Sequence, residues 1–467
     1  MKEWTFENFQ KLIASLKIKL PSFDLPKLTI GNKTAPIAIV QGGMGVGISL
    51  SSLSSAVANQ GGIGIIAANG IGMIEPDYFK DGRAANIKGL RSEIRKAKAQ
   101  STGIIGVNIM VALEDFQELL KTAIEEKVDA VFLGAGLPIK NLPVAQLREA
   151  GVQVVPIVSS ARATNLIFSM WKRIYHDVPD AVVVEGPKAG GHLGVAQADL
   201  EDNAFSLETV VPQVKEALAP YAEEFGKPIP LIAGGGIFTG EDIYKIMKLG
   251  ADGVQMGTRF AATDECDADI RFKEAIVACS QEDIGIIKSP VGLPGRAIIN
   301  DFLTSTTERK RNFSCPWQCL AGCRAEESNY CISMALNNAR KGNLKSGFVF
   351  VGSNAYRVSA ITSVGELIHE LRQEYAAALF ADKKTIFTEV AELAARLRHE
   401  YKVTEQRARE LKDSYLQALA NGPIPDTIAS AKAELKIVNA RLSHIQHAIT
   451  EKLSEVFQDS SQQTANS

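Results

Sequence analysis

The ionisable side chain best placed for chemistry is His192, in the run Gly190-Gly191-His192-Leu193-Gly194. The chain has six histidines; His369, His399, His444 and His447 fall in a helical C-terminal region and His176 in the polar stretch 172–180. Histidine changes charge near neutral pH, so a histidine on a glycine-flanked loop suits proton transfer. A lone loop histidine would more often bond backbone; here the glycine surroundings tip the reading to catalysis. A second pattern is glycine at strand ends. Gly234, Gly235 and Gly236 follow the apolar run Leu231–Ala233, and Gly257-Thr258 follow Val254–Met256. Glycine lets backbone approach a ligand and adopt positive φ, and strand ends of parallel α/β folds are where phosphate binds. The plainer alternative is a packing unit with glycine turns. A third pattern is thiols: Cys315, Cys319, Cys323 and Cys331, with three, three and seven residues between them. Four thiolates could hold zinc or an iron–sulfur cluster, but the spacing matches neither a zinc ribbon nor a ferredoxin run, so no metal is expected and free thiols are the first reading.

These residues need a frame. Eight short apolar runs alternate with helical stretches: Ile37–Gln41, Gly64–Ala67, Ile104–Met110, Ala130–Leu133, Val152–Val158, Ala181–Val184, Leu231–Ala233 and Gly253–Met256. Alternation of this kind implies a parallel sheet with right-handed crossovers. Eight units predict a TIM (β/α)8 barrel, with an open doubly wound sheet as the alternative. Thr239-Gly240-Glu241-Asp242 predicts a helix start, with a capping hydroxyl and acidic residues in the first turn; Gly250 predicts its stop. In a barrel, function sits at the C-terminal strand ends. There the chain is rich in glycine and poor in carboxylates, which disfavours a two-carboxylate hydrolase.

Composition sets outer limits. The 467 residues are 46% hydrophobic and carry a net charge of −2, long enough for a large core and more than one domain. That charge gives no electrostatic case for nucleic acid or an anionic membrane. No run approaches the roughly eighteen apolar residues of a spanning helix. The first twenty residues lack the marks of a signal peptide and read as an amphipathic helix; a cytoplasmic protein is expected.

The motifs IVQGGMG, GVN, GPKAGGHLG, IAGGGI, GADGVQMGTRF and SPVGLPGRAI, in this order, resemble the nitronate monooxygenase (2-nitropropane dioxygenase) family, which includes flavin-dependent enoyl-acyl-carrier-protein reductases; the similarity covers about Ala35 to Arg357. The resemblance implies a barrel holding non-covalent FMN. It implies phosphate against Gly235, Gly236, Gly257 and Thr258, and a flavin ring flanked by Gly43, Met44 and Asn108. Gly190 and Gly191 would close over the ring beside catalytic His192, with Glu185, Gln255 and Met256 in the cofactor site. Glu185 and Lys188 depart from the family pattern, which often has Gln and Glu there; the lysine suits an anionic flavin or substrate. Two reactions fit: oxidation of a nitronate with O2, the first choice, and reduction of an enoyl thioester by NAD(P)H. A non-catalytic flavin-binding scaffold is the third reading. The partner expected is a small molecule, with a homo-oligomer left open.

The expected domains are a helical arm over 1–34, the FMN-binding barrel over 35–312, a cysteine-containing segment over 313–362 that returns to it, a helical extension over 363–458 and a disordered tail over 459–467. Ser346–Val351 reads as a strand. In the extension apolar residues recur every three or four positions, with breaks expected at Asp382, Val403 and Gly422.

Overall fold

The computed structural model describes residues 11, 23–308, 310, 313, 315, 317–420, 429–430, 433–441, 443–444, 447–448 and 451. The expected tail over 459–467, and nearly all of the arm before residue 23, lie outside the described residues. The chain forms two compact units, one of Asp24–Tyr375 and one of Met1–Phe23 with Ala376–Ser467.

The larger unit opens with a hairpin, β1 (Leu28–Ile30) and β2 (Lys33–Ala35). Residues 28–35 are therefore a β-hairpin, where the sequence predicts a helical arm up to residue 34. The hairpin plugs the N-terminal mouth of a barrel. Lys33 pairs with Asp129 at 2.7 Å, and a Cβ on Gly31 would strike Gln153 at 1.7 Å. Gly31 has φ +55, so only glycine turns this corner without strain.

Eight parallel strands close the barrel as expected. They are β3 (Ile39–Gln41), β4 (Ile63–Ala67), β5 (Ile104–Met110), β6 (Ala130–Gly134), β7 (Gln153–Val158), β8 (Val182–Glu185), β10 (Leu231–Gly234) and β11 (Gly253–Met256). Strands buried on both faces read as continuous apolar runs, which is why all eight are legible. Val40, Ile63, Ile65, Phe132, Val155, Val183 and Ile232 fill the interior together with Leu28 and Ile30 of the hairpin. The helix Gly240–Lys248 starts where the sequence predicts, with a reciprocal capping box: the Thr239 hydroxyl accepts from the Asp242 amide and the Asp242 carboxylate from the Thr239 amide. Gly250 follows its end at φ +110.

One sheet stands outside the barrel pattern. β12 (Ile284–Lys288) and β13 (Pro294–Ile298) form an antiparallel hairpin, and the two-residue strand β9 (Gly191–His192) adds to the edge of β13. Residues 346–351 are not a full strand; only Phe350 makes a bridge, to Ala297. In the smaller unit the helix Lys384–Ala420 runs straight through Val403, so the break expected there is absent. β-branched valine weakens a helix too little to end it. The break near Asp382 is present, between the helices Val364–Asp382 and Lys384–Ala420. Phe387 packs against Phe23 and stacks on Phe380, ring centroids 5.3 and 5.0 Å apart.

Candidate active site

A cleft of about 540 Å³ opens over the C-terminal ends of the barrel strands. Gly43, Met44, Asn108, Glu185, Lys188, Gly190, Gly191, His192, Gly235, Gly236, Gln255, Met256, Gly257 and Thr258 all line it. Residues scattered over 216 positions of sequence are thus brought to one rim, most of them by the order of the barrel strands.

The glycines have steric reasons. A Cβ on Gly43 would lie 2.4 Å from Asn108 Cβ, and one on Gly190 would lie 2.5 Å from the Val351 carbonyl carbon. Gly235 and Gly236 sit at φ +103 and +84. The amides of Gly235, Gly236, Gly257 and Thr258 find no acceptor among the described residues. Two of them open the short helix Thr258–Ala261, whose first amides have no partner within the helix. The Thr258 hydroxyl accepts from the Gly352 amide at 2.9 Å, which leaves its own proton for a ligand. Asn108 is anchored by its amide donating to the Phe132 carbonyl at 3.2 Å.

The histidine is positioned from outside the barrel. His192 lies on β9 opposite Gly295. Its Nε2 is 2.7 Å from the Ser289 hydroxyl, and its ring meets Phe350 edge-on at 5.3 Å. No carboxylate bonds to it among the described residues. Burial lowers its pKa to about 4, so the ring is neutral at pH 7. Glu185 ends β8, and its carboxyl makes no hydrogen bond or ion pair among the described residues; desolvation raises it to about 7. The loop between them is held by Arg296, a buried side chain on β13. Its guanidinium donates to the Pro187 and Ala189 carbonyls, the latter at 2.8 Å, and desolvation lowers its pKa. Two backbone acceptors thus satisfy a cation that has no ion pair among the described residues.

The sequence reading did not single out Ser289, Arg296 or Phe350. A signal for the first two was present: IGIIK and GRAI flank a Gly-Leu-Pro turn at 292–294, a hairpin pattern. What it lacked was any sign that β9 would join that hairpin.

None of the four clustered cysteines lines the cleft. Cys315 donates to the Trp317 carbonyl, and Cys319 lies 3.6 Å from the Ser333 hydroxyl. Burial raises the Cys319 thiol to about 11, and burial with the nearby Cys315 raises Cys323 and Cys331. Among the described residues no three His, Cys, Asp or Glu side chains converge to hold a metal, and no helix is long and apolar enough to cross a membrane.

The family model for nitronate monooxygenase matches residues 28–126 and 97–374. A probable nitronate monooxygenase of Bacillus subtilis is 24% identical, the match covering 72% of this chain and 95% of that one. A (3aS,4S,5R,7aS)-5-hydroxy-7a-methyl-1-oxo-octahydro-1H-indene-4-carboxyl-CoA dehydrogenase of Rhodococcus jostii is 29% identical over 57% of this chain and 64% of its own length, so this chain spans just under two thirds of that relative. The structure of FabK from Thermotoga maritima superposes with a TM-score of 0.58 at 28% identity, over 80% of this chain and 98% of that one.

Proposed function

The chain belongs to the nitronate monooxygenase family, whose named members are oxidoreductases, and on that premise we propose that it binds FMN and oxidises an alkyl nitronate with O2. The site fits the cofactor. Four amides without protein acceptors, two of them on positive-φ glycines, suit a phosphate. Gly43, Met44, Asn108, Glu185, Gly190, Gly191, Gln255 and Met256, which line the same cleft, would hold the flavin ring. When bound, FMN supplies the two-electron acceptor; the protein binds, orients and excludes water.

The observation that carries the nitronate reading is the environment of His192. A strong base needs a nearby carboxylate to stabilise its charged form. His192 has a serine instead, and burial keeps the ring neutral. A substrate that arrives already as an anion needs no strong base. Neutral His192, with Nε2–H donated to Ser289, offers Nδ1 as a weak acceptor; the other tautomer offers Nδ1–H to the anion. The second tautomer serves a nitronate, and in the first the ring is too weak a base to take the C–H proton of a neutral nitroalkane.

A second reading, NAD(P)H-dependent reduction of an enoyl thioester, is supported by the extent of the FabK superposition and by small apolar residues such as Ala135, Val158 and Ala163 along the cleft wall. Anaerobic stopped-flow absorbance separates the two. The flavin band of the loaded protein should bleach on mixing with propyl nitronate and not with NADH or NADPH. Rapid bleaching by a nicotinamide alone would reverse the order of the readings. Protein that takes up no FMN would remove both.

A further inference from the structure

We propose that Lys188 is the counter-charge for a phosphate monoester held on the amides of Gly235 and Gly236, and thereby sets the preference for a phosphorylated flavin; this rests on the FMN reading above. Lys188 lies on the loop that Arg296 pins. Its backbone is fixed on both sides: its carbonyl accepts from the Ser353 amide, and the Ala189 carbonyl beside it accepts from Arg296. Its methylene stem crosses Gly236. A Cβ built there would lie 2.8 Å from Lys188 Cβ and 3.0 Å from its Cδ. The stem therefore runs beside the amides that lack acceptors, and any side chain at 236 would displace it.

The lysine also stands where two cavities meet. The main cleft and a side pocket of about 190 Å³ share Lys188, Gly235, Gly236, Ile237 and Asn354 as walls. The other cations that line these cavities are already engaged. Arg259 pairs with Glu370 at 2.8 Å and donates to the Phe238 carbonyl. Lys245 pairs with Glu241 at 2.7 Å. The acidic residues of the side pocket do not neutralise Lys188. Asp242 is taken up by the helix cap, and Glu208 makes no ion pair among the described residues. Lys188 is exposed, and its ammonium makes neither a hydrogen bond nor an ion pair among the described residues. An ammonium without a partner, beside amide donors without acceptors, makes one anion subsite from two kinds of donor. A lysine, as a point charge on a flexible stem, suits phosphate without demanding fixed geometry.

The experiment titrates flavin-free full-length protein with FMN and with riboflavin, in wild type, Lys188→Gln and Lys188→Arg. Wild type should favour FMN. Lys188→Gln should weaken FMN by on the order of tenfold with riboflavin unchanged, and Lys188→Arg should recover most of the loss. Raising salt should weaken FMN binding to wild type more than to Lys188→Gln. An unchanged FMN-to-riboflavin ratio in Lys188→Gln would overturn the assignment and leave the FMN reading standing. So would equal weakening of both flavins, the mark of a stem that only packs. A variant that keeps its FMN affinity but loses discrimination between NADPH and NADH would give the lysine to a different phosphate and overturn it too. Wild type that binds neither flavin would remove the FMN reading itself.

Discussion

The loop 186–192 and the segment 315–331 both draw the eye in the sequence, and they end differently. In the loop, residues outside it hold the backbone: Arg296 takes two carbonyls, β13 takes the edge, and the 351–354 segment closes against Gly190. The side chains of Glu185, Lys188 and His192 are thereby left facing a cleft. In the cysteine segment the thiols spend themselves locally, on the Trp317 carbonyl and near the Ser333 hydroxyl, and burial holds three of them protonated. Residue types capable of chemistry become a site only when other residues hold the backbone and leave their ends unpartnered.

That contrast can be broken most directly with glycines. Gly190→Val should lower FMN affinity at least about 100-fold, because its Cβ alone would lie 2.5 Å from backbone and the loop must leave the cleft. Gly322 has nothing within 4 Å of where its Cβ would be; Gly322→Ala should leave FMN titration and urea stability unchanged within about 0.5 kcal/mol. Equal tolerance at both positions would erase the distinction.

His192→Gln should lower kcat by about 100-fold. Ser289→Ala, which removes only the positioning contact, should cost about 3- to 10-fold in kcat with KM nearly unchanged. A larger loss in Ser289→Ala than in His192→Gln would mean that the serine, not the ring, meets the substrate.

The pH dependence of stability in ligand-free protein is a smaller and more specific test. The Glu185 carboxyl is raised from 4.5 to about 7; its contribution is present below pH 4.5 and is lost as pH rises towards 7. The His192 ring is lowered from 6.5 to about 4; its contribution is present above pH 6.5 and is lost as pH falls towards 4. Between pH 4.5 and 6.5 the two slopes oppose each other. Glu185→Gln should therefore gain stability with rising pH up to 6.5, and His192→Gln should lose it from 4.5 to 7, each by at most about 1.4 kcal/mol per pH unit. Parallel slopes in urea titrations of the two variants would contradict the assigned environments. The smallest effect expected is from Cys315→Ser, within about 0.5 kcal/mol by the same titration, since the thiol is exposed.

The barrel was legible because its strands are buried on both faces and announce themselves as apolar runs. The helix at Gly240 was legible because Thr239 and Asp242 carry their partners within one turn. Gly235, Gly236, Gly257 and Thr258 were legible because strand ends share one rim. The β12–β13 hairpin and its hold on His192 were not, since that pairing joins residues about a hundred positions apart through a strand of two residues. Nor was the run of helix through Val403, where polar spacing suggested a stop and nothing in the neighbouring residues enforces one.

The two-residue length of β9 has a kinetic consequence. A strand so short, at the edge of a three-stranded sheet and paired on one side only, opens by breaking a handful of bonds. The Leu193 amide, bonded to the Pro294 carbonyl at 2.9 Å, is the reporter. Its deuterium exchange should be faster than that of Val183 or Ile232 and should slow when a ligand fills the cleft. Exchange at Leu193 thus reads out how firmly the sheet edge keeps the imidazole beside Ser289.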